Sequence, residues 1–187
     1  MKRLLNTDFT VIKREGGSQG YPEMSTEGER EHFVCRIIDN GEDLYGIWYS
    51  DEADGVATED GKVLLWRSED GARDYAHHQG WILSSDKPAT FDLNYISAVE
   101  TDPSVFHPKE SLDIWNLFSD IGKSVGDAKF SGQDSNASEL HARLSALSLS
   151  HILGSAPEQL TASEIEGIVA VLQLGKAMLK ERCLVFG

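Results

Sequence analysis

The pair His77-His78 is the feature of this sequence that most resembles a metal site. Both histidines fall in a segment that predicts a helix, where adjacent side chains point about 100° apart. Two histidines four positions apart, H-x-x-x-H, could bind one ion from the same helix face, but the sequence does not contain that spacing. Near a helix C-terminus, the two imidazoles instead complement the helix dipole. We therefore predict no metal site at this pair.

A second candidate for chemistry is the acidic segment D-E-A-D-G-V-A-T-E-D, residues 51–60. Carboxylates bind Ca²⁺, but an EF-hand loop needs Gly at position 6, Glu at position 12 and a helix on each side. This segment does not match that order, and predicted strands flank it. No pair of carboxylates stands out for glycoside hydrolysis either. We predict neither a calcium site nor a glycosidase.

Motifs for phosphate binding and nucleophilic catalysis are missing from the sequence. Residues 16–20, G-G-S-Q-G, lack the lysine of a P-loop, and no G-x-S-x-G elbow occurs. Cys35 and Cys183 have no nearby histidine and no second cysteine at metal-binding spacing, so free thiols in a reducing compartment are predicted. We expect a cytoplasmic protein that is not an enzyme and has no cofactor. The enzymatic alternative is a catalytic site dispersed over the fold.

The chain is strongly acidic. Its 187 residues include 31 Asp and Glu against 17 Lys and Arg, a net charge of −14. Such a surface repels nucleic-acid phosphates and anionic membranes, so we expect neither as a partner. Lys2 and Arg3 precede two leucines as in a signal peptide, but Asn6 ends the run, and no stretch approaches the roughly 18 apolar residues of a membrane span. Opposed charges speed association, so a basic protein partner is expected.

The acidity is densest between Ile37 and Gly61, where eight carboxylates occur without a lysine or arginine. One interpretation is a solvated loop surface; the other is a docking face for a basic protein. Two neighbouring aromatic residues in this stretch could serve as anchors, because interfaces are rich in Trp and Tyr. The predicted partner-binding residues are Trp48, Tyr49, Asp51, Glu52, Asp54, Glu59 and Asp60.

Two turn signals organise the N-terminal half into strands. Asn40-Gly41 separates strand 32–39 from strand 44–50, and Asp60-Gly61 precedes strand 62–67, which together predict an antiparallel meander. Shorter strands are predicted at residues 9–13 and 81–83, and helices after the caps Ser68 and Asp92. Trp66, Trp81 and Trp115 are predicted in the core.

Helical periodicity dominates the C-terminal half. Helices are predicted at about 110–125, from Ser135-Asn136 to Gly154, and after a capping box formed by Thr161 and Glu164. Residues 183–186 are predicted to add a strand. The predicted fold class is α+β: an antiparallel sheet meander in the N-terminal half packed with helices, and a mostly helical C-terminal half. We predict a single domain, with residues 1–108 sheet-rich and residues 109–187 helical.

A resemblance emerges from residues 61–81, G-K-V-L-L-W-R-S-E-D-G-A-R-D-Y-A-H-H-Q-G-W, and from the following A-T-F-D-L-N-Y-I. These segments and the helix S-L-D-I-W-N-L-F-S-D-I-G-K-S-V resemble bacterial immunity proteins of contact-dependent-inhibition and polymorphic toxin systems. The likeness covers about residues 61–125 and consists of packing motifs; Asn94 stands where the family pattern has an acid. It implies a stoichiometric inhibitor that covers the active site of a basic, nuclease-type toxin domain. The alternative is a non-catalytic adaptor or regulatory module with a different partner.

Overall fold

The N-terminal half of the chain builds a mixed β-sheet. A computed structural model describes residues 30–50, 54–84, 87–130, 135–153 and 159–187. The strands are β1 (Glu31–Asp39), β2 (Glu42–Ser50), β3 (Gly55–Val56), β4 (Thr58–Glu59), β5 (Lys62–Trp66), β6 (Ala89–Asp92) and β7 (Cys183–Phe186).

The sheet order is β4-β5-β2-β1-β6, with β3 on β2 and β7 on β5. Strands β1, β2 and β5 form the predicted antiparallel meander; in the β1–β2 pair Val34 lies opposite Ile47. Two parallel pairings extend it, β6 beside β1 and β7 beside β5. The sheet is therefore mixed, and its last strand comes from the far end of the helical half.

Five α-helices and one short 3₁₀ helix lie in the described ranges. They are α1 (Glu69–His78), α2 (Asn94–Thr101), the 3₁₀ helix Pro103–Val105, α3 (Pro108–Val125), α4 (Ser135–Leu153) and α5 (Ala162–Arg182). The predicted fold class, a sheet-rich N-terminal half followed by a mostly helical C-terminal half, is confirmed.

The two faces of the sheet bury separate clusters of apolar side chains. Helix α1 covers one face, where Ile47, Leu64 and Trp66 pack with Ala72 and Ala76. Helices α2, α3 and α5 cover the other face and form the larger cluster, whose centre includes the fully buried Leu65, Ile96, Phe118, Ile121 and Leu172. Removal of this apolar surface from water is the main stabilising contribution to the fold.

Local sequence signals account for several boundaries. Asn40 and Gly41 have φ angles of 51° and 79°, and Asp60 and Gly61 have 51° and 71°, which is the geometry of tight two-residue hairpin turns. The Ser68 side chain accepts from the Gly71 N–H at 3.1 Å and caps α1. The predicted capping box at the start of α5 is confirmed: Thr161 N–H donates to Glu164 and Glu164 N–H donates to Thr161.

Other predictions of strands, caps and buried residues are wrong or concern residues that the structure does not describe. Residues 81–83 form no strand; Leu83 makes an isolated parallel bridge to His32. Asp92 ends β6, and its carboxylate accepts from the Asn94 N–H at 2.9 Å, while the cap position of α2 falls to Leu93. Trp66 and Trp115 are buried as predicted, whereas Trp81 is half-buried. The strand predicted at residues 9–13 and the helix end predicted at Gly154 lie outside the described residues.

Candidate functional site

A cleft of about 1140 Å³ opens on the face of the sheet that carries the larger cluster. Its walls come from β2, β6, α3, the turn after α3, α4 and α5, and we call it the α3 cleft. The side chains that line it include Trp48, Phe91, Asp120, His141, Val171 and Leu174. Small-molecule pockets measure about 300–1,000 Å³, so this cleft is large enough to accept several side chains of a partner.

A buried carboxylate forms the polar floor of the α3 cleft. The Asp120 residue is 7% exposed. Its Oδ2 accepts a hydrogen bond from Trp48 Nε1 at 3.1 Å, and its Oδ1 lies 3.0 Å from Lys123 Nζ. Because buried charges are costly unless paired, these two partners explain how the carboxylate is held there. The arrangement fixes the half-buried Trp48 ring against α3.

The C-terminal turn of α3 is tied to the sheet by a serine. Ser124 Oγ donates to the Asp120 carbonyl at 2.7 Å and accepts from the Val56 N–H at 2.9 Å. Val56 belongs to β3, which pairs with β2 beside Trp48. The hydroxyl therefore joins one wall of the cleft to the other, and we expect this end to be rigid.

The wall opposite the sheet carries a partly buried histidine. His141 Nε2 lies 2.9 Å from Asn116 Oδ1, and its ring meets the buried Trp115 ring edge-on at 5.4 Å between centroids. Burial lowers the pKa of His141 from its ordinary value near 6.5. At neutral pH the imidazole is therefore uncharged. An amide oxygen only accepts, so Nε2 carries the hydrogen in this arrangement.

The remaining lining is apolar and accessible. Leu174, on α5, is 58% exposed, and Val171 one turn earlier is half-buried. Phe91 of β6 is half-buried, and Thr90 beside it is exposed. A leucine more than half exposed inside a concave site, beside aromatic rings, is typical of a surface that another molecule covers.

Nucleophilic and metal chemistry find little support in the described residues. Burial raises the pKa of the Cys35 thiol to about 11, and burial also raises the pKa of Cys183. Neither sulfur is a thiolate at neutral pH, and the thiolate is the reactive form. No group of three or more His, Cys, Asp or Glu side chains within these ranges is arranged to hold a metal ion.

The lowered pKa values of two histidines predict that the stability of the fold depends on pH. His32 is buried, stacks on Trp81 at 4.7 Å, and has its pKa lowered by burial and by the charge of Arg30; the pKa of His141 is lowered as well. The unfolded chain then binds protons more readily than the folded chain. The two histidines therefore contribute their full stability above about pH 6.5, and that contribution is lost as the pH drops towards the lowered pKa values.

We expect His32→Phe to make the decrease in melting temperature between pH 7.5 and 5.5 smaller than in the wild type. The same change at the exposed His77 should leave that decrease as in the wild type. Parallel profiles for wild type and His32→Phe would contradict this assignment.

The structure separates the predicted partner-binding residues into groups. Trp48 and Asp54 line the α3 cleft. Tyr49 faces the opposite side of the sheet, where the Arg30 guanidinium lies 4.2 Å from its ring centroid. Glu59 and Asp60 are exposed on the β4–β5 turn. Asp51 and Glu52 lie outside the described residues.

The acidic stretch between Ile37 and Gly61 does not form one continuous face. Its first acids lie at the β1–β2 turn and its last at the β4–β5 turn, which flank opposite ends of the nine-residue β2, about 27 Å apart. Those at the first turn are engaged within the chain: Asp39 with Lys176 and Lys180, Asp43 with Arg36, and Glu42 with Arg67. The β4–β5 end is therefore the part of the stretch best placed to meet a partner.

Sequence reasoning missed most of the α3 cleft. Asp120 and His141 look like ordinary polar residues of amphipathic helices, and Phe91 looks like a strand residue. The one available signal was Leu174, an apolar residue that lies outside the stripe of α5. An apolar side chain on the polar side of a helix is a reason to suspect a contact beyond the core.

The comparisons with known proteins identify a fold relative. No family model matches the chain, and no curated protein matches it. Among solved structures, the chain is similar to the SatS C-terminal domain, crystallised in complex with bromine, with a TM-score of 0.56 and 13% sequence identity. The match covers 83% of this chain and 94% of that one. At this identity the similarity concerns the fold alone. No helix in the described ranges is both long and apolar enough to cross a membrane.

Proposed function

We propose that this chain is a non-catalytic protein that binds a partner polypeptide in the α3 cleft. The observation that carries the proposal is the cleft itself, in which a 58% exposed leucine lies among half-buried aromatic and apolar side chains. Interfaces gain most of their affinity from a few such anchors in desolvated pockets. The cleft volume of about 1140 Å³ suits a segment of polypeptide with several side chains.

The polar groups of the cleft support binding over catalysis. Asp120 already pairs with Lys123 and with the Trp48 indole, and His141 already pairs with Asn116. Groups that satisfy one another in this way orient the walls of a site and reduce the cost of desolvation when a partner covers it.

The particular form that we propose is neutralisation of a basic toxin domain. It is supported by the net charge of −14, by the exposed Glu59 and Asp60 on the β4–β5 turn, and by the resemblance to immunity proteins across residues 61–125. A nuclease must be basic to hold phosphates, so an acidic protein can block it by charge complementarity. In the alternative, the protein is an adaptor or regulatory module that uses the same cleft to bind a different partner.

Leu174→Arg tests the proposal. The probe is the C-terminal domain of the protein encoded directly upstream of this gene, measured by isothermal titration calorimetry. We expect one-to-one binding to the wild type and at least about tenfold weaker binding to the variant, because the arginine places an unpaired charge in the covered apolar patch. Growth protection on co-expression with that domain distinguishes the immunity form from the adaptor.

Leu149→Arg is the matched control. Leu149 is a leucine of α4 with a similar exposure of 48%, and it is not among the cleft residues. Its change should leave the affinity within about twofold of the wild type, a difference below 0.5 kcal/mol. Equal affinities for all three proteins would exclude the α3 cleft as the binding site. Absence of protection with binding retained would favour the adaptor.

A further inference from the structure

Strand β6 has an open edge inside the α3 cleft. Within residues 30–50, 54–84, 87–130, 135–153 and 159–187, no strand pairs with β6 on the side away from β1. Leu93 N–H donates to the Ile38 carbonyl of β1 at 2.8 Å. In a parallel ladder, the backbone groups of alternate residues point to the same neighbour, so Phe91 also faces β1 and Thr90 faces away. The N–H and C=O of Thr90 are thus directed outward from the sheet.

Helix α5 contributes apolar side chains to the cleft into which this edge opens. Val171 and Leu174 line the same cleft as Ala89, Thr90 and Phe91, and Leu174 is 58% exposed. A sheet edge with outward backbone groups is a template for another strand. The helix residues of the same cleft provide a surface for the side chains that such a strand would direct towards the helices.

Resting on the function proposed above, we infer that the partner binds by strand addition, as an extended segment that pairs with Thr90 along the open edge of β6. Side chains at every second position of that segment would pack on Val171 and Leu174, so these positions should be apolar. Main-chain hydrogen bonds supply affinity in this mode, and the pockets for alternate side chains supply specificity. The short edge limits the pairing to a few residues.

The negative charge of this protein favours a particular kind of partner segment. Asp54, Asp113 and Asp120 line the cleft together with Lys123 and Lys129, so its acids outnumber its lysines by one. Asp113 pairs with Lys109, which is 63% exposed. The whole chain carries a net charge of −14. A segment with basic residues on either side of its apolar core is therefore favoured. A second copy of this chain is disfavoured as the occupant, because each copy carries the same charge.

The probe for this inference is a synthetic peptide, K-K-V-T-V-T-V-K-K, with a fluorophore at its N-terminus. We expect binding to the wild type by fluorescence anisotropy. The same peptide with N-methylated valines lacks the backbone donors that pair with an edge, and a version with glutamates in place of its lysines has the wrong charge. Both should bind at least about fivefold more weakly, the effect of roughly one hydrogen bond or one charge contact.

Thr90→Pro removes the outward donor on the protein side. Proline is tolerated on an edge strand when its N–H would face solvent, so pairing with β1 should persist. Thr90→Val keeps the donor and serves as the control. We expect binding of the lysine peptide to weaken about five- to tenfold in Thr90→Pro and to stay within twofold in Thr90→Val. Thermal unfolding of both variants checks that the fold is retained, and protection of the Thr90 amide from hydrogen exchange in the wild-type complex gives a readout independent of either variant.

The outcomes separate this inference from the function on which it rests. If Leu174→Arg abolishes binding of the upstream-encoded domain while Thr90→Pro and Thr90→Val bind the peptide equally and the Thr90 amide gains no protection, the cleft binds its partner without strand addition, and the inference is wrong. If the lysine peptide does not bind the wild type, the inference is also wrong. Dimerisation that rises with protein concentration in sedimentation velocity, and that Thr90→Pro prevents, would make a second copy the occupant and overturn the choice of a basic partner segment.

Discussion

Replacing Gly175 with alanine is expected to lower the free energy of unfolding by about 1–3 kcal/mol. A Cβ at this position of α5 would lie 2.1 Å from Cδ2 and 2.8 Å from Cβ of Phe118 on α3. Phe118 is fully buried, so it can move only by displacing neighbours in a close-packed core. The higher helix propensity of alanine offsets at most roughly 1 kcal/mol of the overpacking cost. Urea unfolding followed by tryptophan fluorescence measures the difference.

Gly167→Ala is the matched control on the same helix. A Cβ there would meet Leu140 Cδ1 at 3.1 Å, the end of a half-buried and flexible side chain. We expect stability within about 1 kcal/mol of the wild type, with helix propensity favouring alanine. Two equally stable variants would mean that α3 and α5 do not approach each other at Gly175 as described. Since both helices form walls of the α3 cleft, this contact also sets its width.

Asp39→Ala is expected to cost about 1–3 kcal/mol of unfolding free energy. Asp39 Oδ1 lies 2.6 Å from Lys176 Nζ, and Oδ2 lies 3.2 Å from Lys180 Nζ. The shorter contact is off the direction of a hydrogen bond, so its attraction is electrostatic. Asp39 and Lys176 are 14% and 15% exposed, and removing the carboxylate leaves the ammonium with the Leu93 carbonyl oxygen, 3.3 Å away, as its acceptor. Urea unfolding at low and high salt measures the loss.

Asp43→Ala provides the comparison within the same hairpin. Asp43 pairs with Arg36 at 2.5 Å, but the two side chains are 39% and 38% exposed. Ion pairs at such exposure contribute little, so we expect a change below about 1 kcal/mol. If Asp43→Ala proved as costly as Asp39→Ala, burial would not be the property that makes Asp39 important. The two acids would then share a role in the turn.

The parts of the fold that were predictable from sequence depend on local signals. Asn40-Gly41 sets a two-residue turn through backbone angles that few residues adopt, and Thr161 with Glu164 satisfies the first backbone donors of α5. Each signal is complete within four residues. For this reason the predicted bounds of the meander strands and the predicted start of the last helix lie close to the observed ones.

The α3 cleft could not be predicted in the same way, because its contacts join distant positions. Trp48 and Asp120 are 72 positions apart, and the alternation of β2 shows only that Trp48 and Tyr49 face opposite sides. The burial of Asp39 could not be predicted from the sequence for the same reason. Asp39 and Asp43 are the same residue type beside the same turn, and only the packing of α5 makes one of them buried.

The pairing of β7 with β5 affects how the chain can fold during synthesis. Val63 lies opposite Cys183, 120 positions later in the chain. A ribosome adds about 5–20 residues per second, so roughly 6–24 s pass between the synthesis of β5 and that of β7. Throughout that interval the apolar edge of K-V-L-L-W is available for pairing with other chains. Loss of residues 183–186 would leave the Val63–Trp66 edge of β5 without this neighbour in the finished fold as well.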